Sequence, residues 1–386
     1  MLLKKLICLT CYLYTDKCSS VNYHLLLLIK SVLMGRGYDV AVYSYEPEPV
    51  YTEQEMLDNL GCGEFSGRVE FRRLNTMSPG VWASRLSEAD VILCQHYSFA
   101  EILLTAKAQK TDIKIVSWIH SIVQEEYLSG SINGKNDAYP ILCQQKQQAA
   151  LSDVCVFDSQ YDYNLGRLDF TQMKRTAVIY PVSEMEKFRE ERLEAERKIF
   201  QEGMLKLSDV EILFIGRWDF RKGLDSLIPC SFRMFLEHGV KTVLLTNGNE
   251  EYVFSDQAGK RQFRTLVDSG GLQFESWKPE KKEYARYLCE KRRVAVLPSY
   301  YDAFNMAAYD CAVLGIPLIV SNRCGVCELL VPHESLAVCN PYDTEVLYEQ
   351  IYAMCTAALV PLPGHILHYG PTEFHRDITD LFYELL

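Results

Sequence analysis

Short apolar runs rich in Val and Ile recur along this chain, separated by stretches whose apolar residues fall at helical spacing. That alternation constrains the fold more than any other feature. Near-continuous apolarity suits strands buried on both faces, as parallel strands are, and each parallel pair needs a crossover, usually a helix. The first set of runs covers residues 6–12, 39–45, 91–94, 113–119, 154–157 and 176–180, and a second set covers 210–215, 241–246, 272–274, 294–297, 317–320 and 336–338. Two series of strand, crossover helix and strand predict an α/β protein with two Rossmann-like halves.

Length agrees with this division, because 386 residues at about 100 to 200 per domain imply two or three domains. The expected organisation is an N-terminal domain over 1–180, a connecting segment over 181–204, a C-terminal domain over 205–370 and a docking helix over 371–386. Within the connection, Lys187/Glu191, Arg192/Glu196 and Glu194/Lys198 are opposite charges at i,i+4 spacing, which predicts a solvated helix over 184–198. Residues 127–140 lack periodicity and read as a mobile loop of the first half. At the end, Phe374, Ile378, Leu381, Phe382 and Leu385 share one helical face, the pattern of a helix that docks.

Charge narrows the function classes. Forty Lys and Arg against 51 Asp and Glu leave 40 − 51 = −11, which argues against a nucleic-acid backbone as the main partner. With 48% hydrophobic and 24% charged residues, the composition is that of a soluble globular protein. Lys4 and Lys5 before an apolar run imitate a signal peptide, but Asp16 and Lys17 follow without a small-residue cleavage site. No transmembrane segment is expected, and fourteen cysteines without a secretory signal read as reduced thiols in the cytoplasm.

Two stretches point to chemistry. Residues 294–298 end a buried run at Pro298, and after a short loop a small-residue helix is expected from Phe304 to Gly315. Ligands of open α/β sheets collect at such strand ends, and a helix N-terminus there suits a phosphate. Asp302 and Asp310, eight residues apart, either address two ends of one extended ligand, about 12 Å apart if both are helical, or serve as a helix cap and a surface acid. The second stretch, Gly216-Arg217-Trp218-Asp219-Phe220-Arg221-Lys222-Gly223, follows the first strand of the second half. Gly216 would let the backbone approach a ligand, and Arg217 and Lys222 would reach one anionic group from either side of the loop, unless the stretch is a solvated basic loop.

Taken in order, Gly216-Arg217, Lys222-Gly223, Pro298-Ser299, Asp302-x7-Asp310, Gly315-Ile316-Pro317 and the stretch from Ser321 to Glu328 resemble the second domain of retaining GT-B glycosyltransferases, closest to the group called family four. The first half resembles them more weakly, through Arg36-Gly37-Tyr38-Asp39-Val40, Ile119-His120 and Ala150-Leu151-Ser152-Asp153-Val154 with Ser159. Tyr180-Pro181-Val182-Ser183 resembles the turn between the domains.

The resemblance implies two Rossmann-like domains facing each other across a cleft that holds a nucleotide-diphosphate sugar. By it, Arg217 and Lys222 hold the diphosphate, Asp302 contacts the donor sugar and Asp310 binds the ribose. Gly216, Ser299, Ala303, Phe304, Asn305 and Met306 line the donor, with amides of the last three near phosphate, and Trp277 frames the base. His120 approaches the sugar, and Ser19 and Ser20 stand where the family has a Gly-Gly turn on the acceptor side. The implied activity is metal-independent and cofactor-independent transfer with retention, with a UDP-sugar favoured over a GDP-sugar. The acceptor would be a saccharide, a protein or a small molecule.

Both family glutamates are aspartates here, and Asn305 replaces a glycine, which is tolerable if its φ stays negative. Two other readings therefore stand beside the transferase: a degenerate subunit that binds nucleotide or supports a partner, and a nucleotide-sugar epimerase. Zinc-like pairs Cys8-x2-Cys11 and Cys324-x2-Cys327, and His365-x2-His368 with His375, are weak, because a strand points Cys8 and Cys11 to opposite faces and no acid recurs beside the histidines.

Overall fold

The computed structural model describes residues 4–10, 20–34, 38–44, 67–73, 79–130, 138–183, 185–189, 206–246, 254, 256–276, 280–357, 361–364 and 366–385. The chain divides into two compact units. Unit 1 comprises Met1–Gln124, Gly134–Pro181 and Pro371–Leu386; unit 2 comprises Glu125–Asn133 and Val182–Gly370.

Unit 1 contains β1 (Lys4–Thr10), β2 (Tyr38–Ser44), β3 (Val69–Arg73), β4 (Val91–Cys94), β5 (Lys114–Ile119), β6 (Val154–Phe157) and β7 (Thr176–Val178). They form one sheet in the order β3-β2-β1-β4-β5-β6-β7, with every pair parallel. The central runs are buried on both faces, as their continuous apolarity requires: Leu6, Ile7, Cys8 and Leu9 of β1 and Val91 to Cys94 of β4 are buried throughout. β3 was not expected, because Val69-Glu70-Phe71-Arg72-Arg73 alternates apolar and charged side chains. As an edge strand it has one partner and keeps a solvated face, so it lacks the continuous apolar signal.

Unit 2 contains β8 (Glu211–Ile215), β9 (Lys241–Leu245), β10 (Leu272–Glu275), β11 (Arg293–Leu297), β12 (Leu318–Ser321) and β13 (Leu336–Cys339). They too are all parallel, in the order β10-β9-β8-β11-β12-β13.

The C-terminal helix, Pro371–Glu384, belongs to unit 1 and packs on helix Ser20–Met34. Phe374, Ile378, Leu381 and Phe382 are buried, whereas Leu385 lies beyond the helix and is half-buried. The expected loop at 127–140 is helical at both ends, because Val123–Leu128 and Ala138–Leu151 form helices. Only the start of the expected helix over 184–198 is described, and there Met185–Phe188 is a 3-10 turn.

One glycine joins the two loops that follow β8 and β11. Gly223 has φ +78°, and a Cβ at that position would lie 1.9 Å from the carbonyl oxygen of Pro298. Only glycine permits this left-handed turn against another backbone. Gly223→Ala is expected to lower unfolding free energy by more than about 2 kcal/mol, measured by urea denaturation.

Candidate functional site

In unit 2 the chain runs from β8 outward to β9 and β10, then crosses back to β11 on the other side of β8. The loops leaving the carboxyl ends of β8 and β11 therefore diverge at the point where the strand order reverses, the place where open α/β sheets leave a crevice. Gly216, Arg217 and Lys222 lie on the first loop; Ser299, Asp302, Ala303, Phe304 and Asn305 lie on the second. Parallel pairing of β8 with β11 brings the two loops together.

Their junction is ionic. Lys222 Nζ lies 2.5 Å from Asp302 Oδ2, and Arg221 Nη1 lies 4.0 Å from Asp302 Oδ1. Arg221 also donates from Nη1 to the Tyr301 carbonyl at 3.1 Å, and its Nη2 lies 3.9 Å from Glu126, a residue of the same unit. The Tyr300 amide in turn donates to the Arg221 carbonyl at 2.8 Å. Burial works to raise the Asp302 pKa, but Lys222 and Arg221 outweigh it and hold the carboxyl below its ordinary range. Burial lowers the Lys222 pKa, and Asp302 opposes that shift. Arg217 is exposed over more than half of its side chain, with Nη2 3.9 Å from Asp219.

Arg221 joins this cluster although the motif does not mark it. Its neighbour Lys222 matched the motif, and an arginine beside a lysine in a loop looks solvated. Burial against Tyr301 and Asp302 is a tertiary outcome. At Gly216 an added Cβ would meet the Phe214 ring at 3.2 Å, so the missing side chain makes room for packing inside the unit.

The helix after the second loop spans Met306–Val313, two residues later than expected, and its N-cap is Asn305. Asn305 Oδ1 accepts from the Ala308 amide at 3.1 Å, so Asp302 is not the cap. Asn305 has φ +74°, so its φ does not stay negative; asparagine is among the residues that tolerate this region. Asp302 therefore lies on a loop, where its amide donates to Arg323 O at 3.0 Å and its carbonyl accepts from Gly325 N at 3.2 Å. The helical spacing of about 12 Å does not apply to Asp302 and Asp310, because only Asp310 is helical. The Asn305 amide donates to Asp302 Oδ1 at 3.1 Å. Asp310, Ser299, Ala303 and Phe304 are buried, and Met306 is half-buried. Trp277 and Ser19 lie outside the described residues, and Ser20 begins the helix after β1.

In unit 1, His120 follows β5. Its Nδ1 lies 3.1 Å from Asp158 Oδ2, and Trp118 Nε1 donates to Asp158 Oδ1 at 2.6 Å. His24, on the helix after β1, packs edge-on against Trp118 with ring centroids 4.7 Å apart and lies 6.0 Å from the His120 ring. Burial depresses the His24 pKa to about 3; Asp158 opposes the shift and His120 adds to it. Burial and His120 lower that of His96 to about 4.

Two outcomes follow from these charges. Asp302→Asn leaves Lys222 and Arg221 buried beside a neutral amide, and is expected to cost about 3 to 5 kcal/mol in urea denaturation. Because His24 and His96 are neutral when folded and bind protons when unfolded, stability should fall as pH drops from 6.5 toward 4. His24→Leu should retain more of its neutral-pH urea midpoint at pH 5 than the wild-type chain does.

Comparison with known proteins agrees with this architecture. Residues 195–356 match the family model described as glycosyl transferases group 1. Over 153 residues the chain is 28% identical to glycogen synthase of Mycobacterium tuberculosis, covering 39% of this chain and 35% of that protein. The chain thus aligns with only about a third of that relative's length. Among solved structures, sucrose-phosphate synthase from Thermosynechococcus elongatus superposes with a TM-score of 0.67 at 17% identity, covering 98% of this chain and 95% of that one. HepE of Anabaena, solved with UDP-glucose, superposes with a TM-score of 0.66 at 13% identity, covering 98% and 99%. The chain has the GT-B fold, and a stretch within its second unit matches the glycosyl transferases group 1 model.

Proposed function

We propose that this chain is a retaining glycosyltransferase that moves a sugar from a nucleoside diphosphate, UDP in preference to GDP, to a hydroxyl acceptor. The observation that carries the reading is the cationic loop after β8 beside the Asp302 loop, at the carboxyl ends of two central strands inside a glycosyl transferases group 1 domain. UDP is favoured because a protein of the same fold was solved with UDP-glucose.

In this reading, Arg217 and Lys222 neutralise the diphosphate as the bond from the sugar's anomeric carbon to the phosphate oxygen breaks. Asp302, held by Lys222, meets the sugar, and Asp310 meets the ribose. Ser299, Ala303, Phe304 and Met306 shape the donor site, and His120 addresses the sugar. The acceptor hydroxyl bonds to the anomeric carbon on the face the phosphate leaves, and its proton passes to a phosphate oxygen. Charge on the diphosphate is met by Arg and Lys, so the scheme calls for no metal. The acceptor is a saccharide, a protein or a small molecule, and the reaction belongs to the cytoplasm. Among the described residues no helix is long and apolar enough to cross a membrane.

The closure of Lys222 on Asp302 also suits a chain that binds nucleotide without transferring sugar. Incubation with UDP-glucose separates the readings: released UDP with free or transferred glucose marks a transferase, unchanged donor marks a binding subunit, and an altered nucleotide-sugar marks an epimerase. UDP is expected to raise the melting temperature. Lys222→Ala should weaken UDP binding by roughly 1.5 to 3 kcal/mol in calorimetry, the scale of a charge-assisted hydrogen bond. Unchanged affinity would remove Lys222 from the site.

A further inference from the structure

β5 and β6 pair in parallel with Ile119 opposite Phe157, so the next residues, His120 and Asp158, leave the sheet side by side. Both oxygens of the buried Asp158 carboxylate are occupied. Oδ1 accepts from the Trp118 indole at 2.6 Å, and Oδ2 lies 3.1 Å from His120 Nδ1. An indole nitrogen can only donate, and an ionised carboxylate can only accept. The Nδ1 of His120 must therefore carry a proton to bond Asp158. In a neutral imidazole this leaves Nε2 with a lone pair.

That nitrogen is buried, and it has no hydrogen-bond partner among the described residues. In the same unit, His24 at Nε2, whose ring is 6.0 Å from that of His120, and Gln95 at both amide atoms share this lack. Gln95 follows β4, next to Trp118 in the β4–β5 register, in which Cys94 pairs with Ser117. A buried polar atom left unsatisfied costs about 1 to 3 kcal/mol, so such a group marks a place for a polar ligand.

We propose that Asp158, clamped by Trp118, is a positioning residue that locks His120 as the Nδ1–H tautomer, so that Nε2 accepts a hydrogen bond from a sugar hydroxyl. The sugar rests on the glycosyltransferase reading; the tautomer lock does not. Asp158→Asn keeps the shape but changes the logic. With the amide oxygen held by Trp118 Nε1, the amide nitrogen faces Nδ1 and donates to it, which transfers the imidazole proton to Nε2.

The test is nitrogen NMR of the full chain with 15N-labelled histidine, with the His120 signals assigned by their loss in His120→Gln. Wild type should show a protonated Nδ1 and an unprotonated Nε2, and Asp158→Asn should reverse them. The same variant should hydrolyse UDP-glucose with kcat/KM lowered roughly tenfold to a hundredfold, the worth of one hydrogen bond to an oriented group. Its UDP affinity should stay within about twofold of wild type, because Asp158 is not among the residues proposed to contact the nucleotide. Protonated Nε2 in the wild-type chain would overturn the proposal even if no variant folds, and so would wild-type kcat/KM in Asp158→Asn. A wild-type chain that shows the Nδ1–H tautomer yet binds no UDP would support the lock and count against the transferase.

Discussion

Parallel pairing governs both units. A parallel strand cannot turn back on its neighbour through a tight hairpin, so each return path crosses a face of the sheet and all the strands end on the same edge. Buried faces then demand the apolar runs, and the common edge collects the loops. In unit 2 the order reverses at β8 and β11, which places residues 216–223 beside residues 298–305 although some 80 positions separate them. In unit 1 the same logic sets His120 beside Asp158 at the ends of β5 and β6.

What grows on that edge is held by charge in a place where charge is expensive. Lys222 and Asp302 are both buried in large part, and neither would stay ionised there alone. Arg221 shares the carboxylate and ties it to the backbone of Tyr301. The cluster therefore joins the two loops, as the close packing of Gly223 on Pro298 also does, and it fixes cations near the crevice before any anion arrives. Fixed charge of this kind needs no reorganisation when a ligand brings opposite charge, as the proposed reaction at a diphosphate would require.

Much of the architecture was legible because burial leaves a one-dimensional trace. Val91–Cys94 and Val154–Phe157 are continuous apolar runs, and both are strands with those bounds. β3 escaped notice because an edge strand is only half-buried and its charged residues break the run. The helix start was displaced by Asn305, whose left-handed backbone and capping side chain shift the first turn to Met306. Arg221 and Asp158 were invisible for another reason: nothing local marks an arginine as buried, or an aspartate as the partner of a histidine 38 positions away.

The amino-acid sequence by itself determined the α/β class, two series of parallel strands, the docking helix and the order of the motifs after β8 and β11. Each is written in periodicity or in residue types that only certain backbone positions accept. Tertiary structure alone decided which charges meet. Lys222 closes on Asp302, Arg221 turns inward, and Asp158 joins Trp118 to His120. Hydrophobic periodicity is a local property that any segment carries with it, whereas the energy of a buried charge depends on partners brought from distant strands, and those exist only once the sheets have formed.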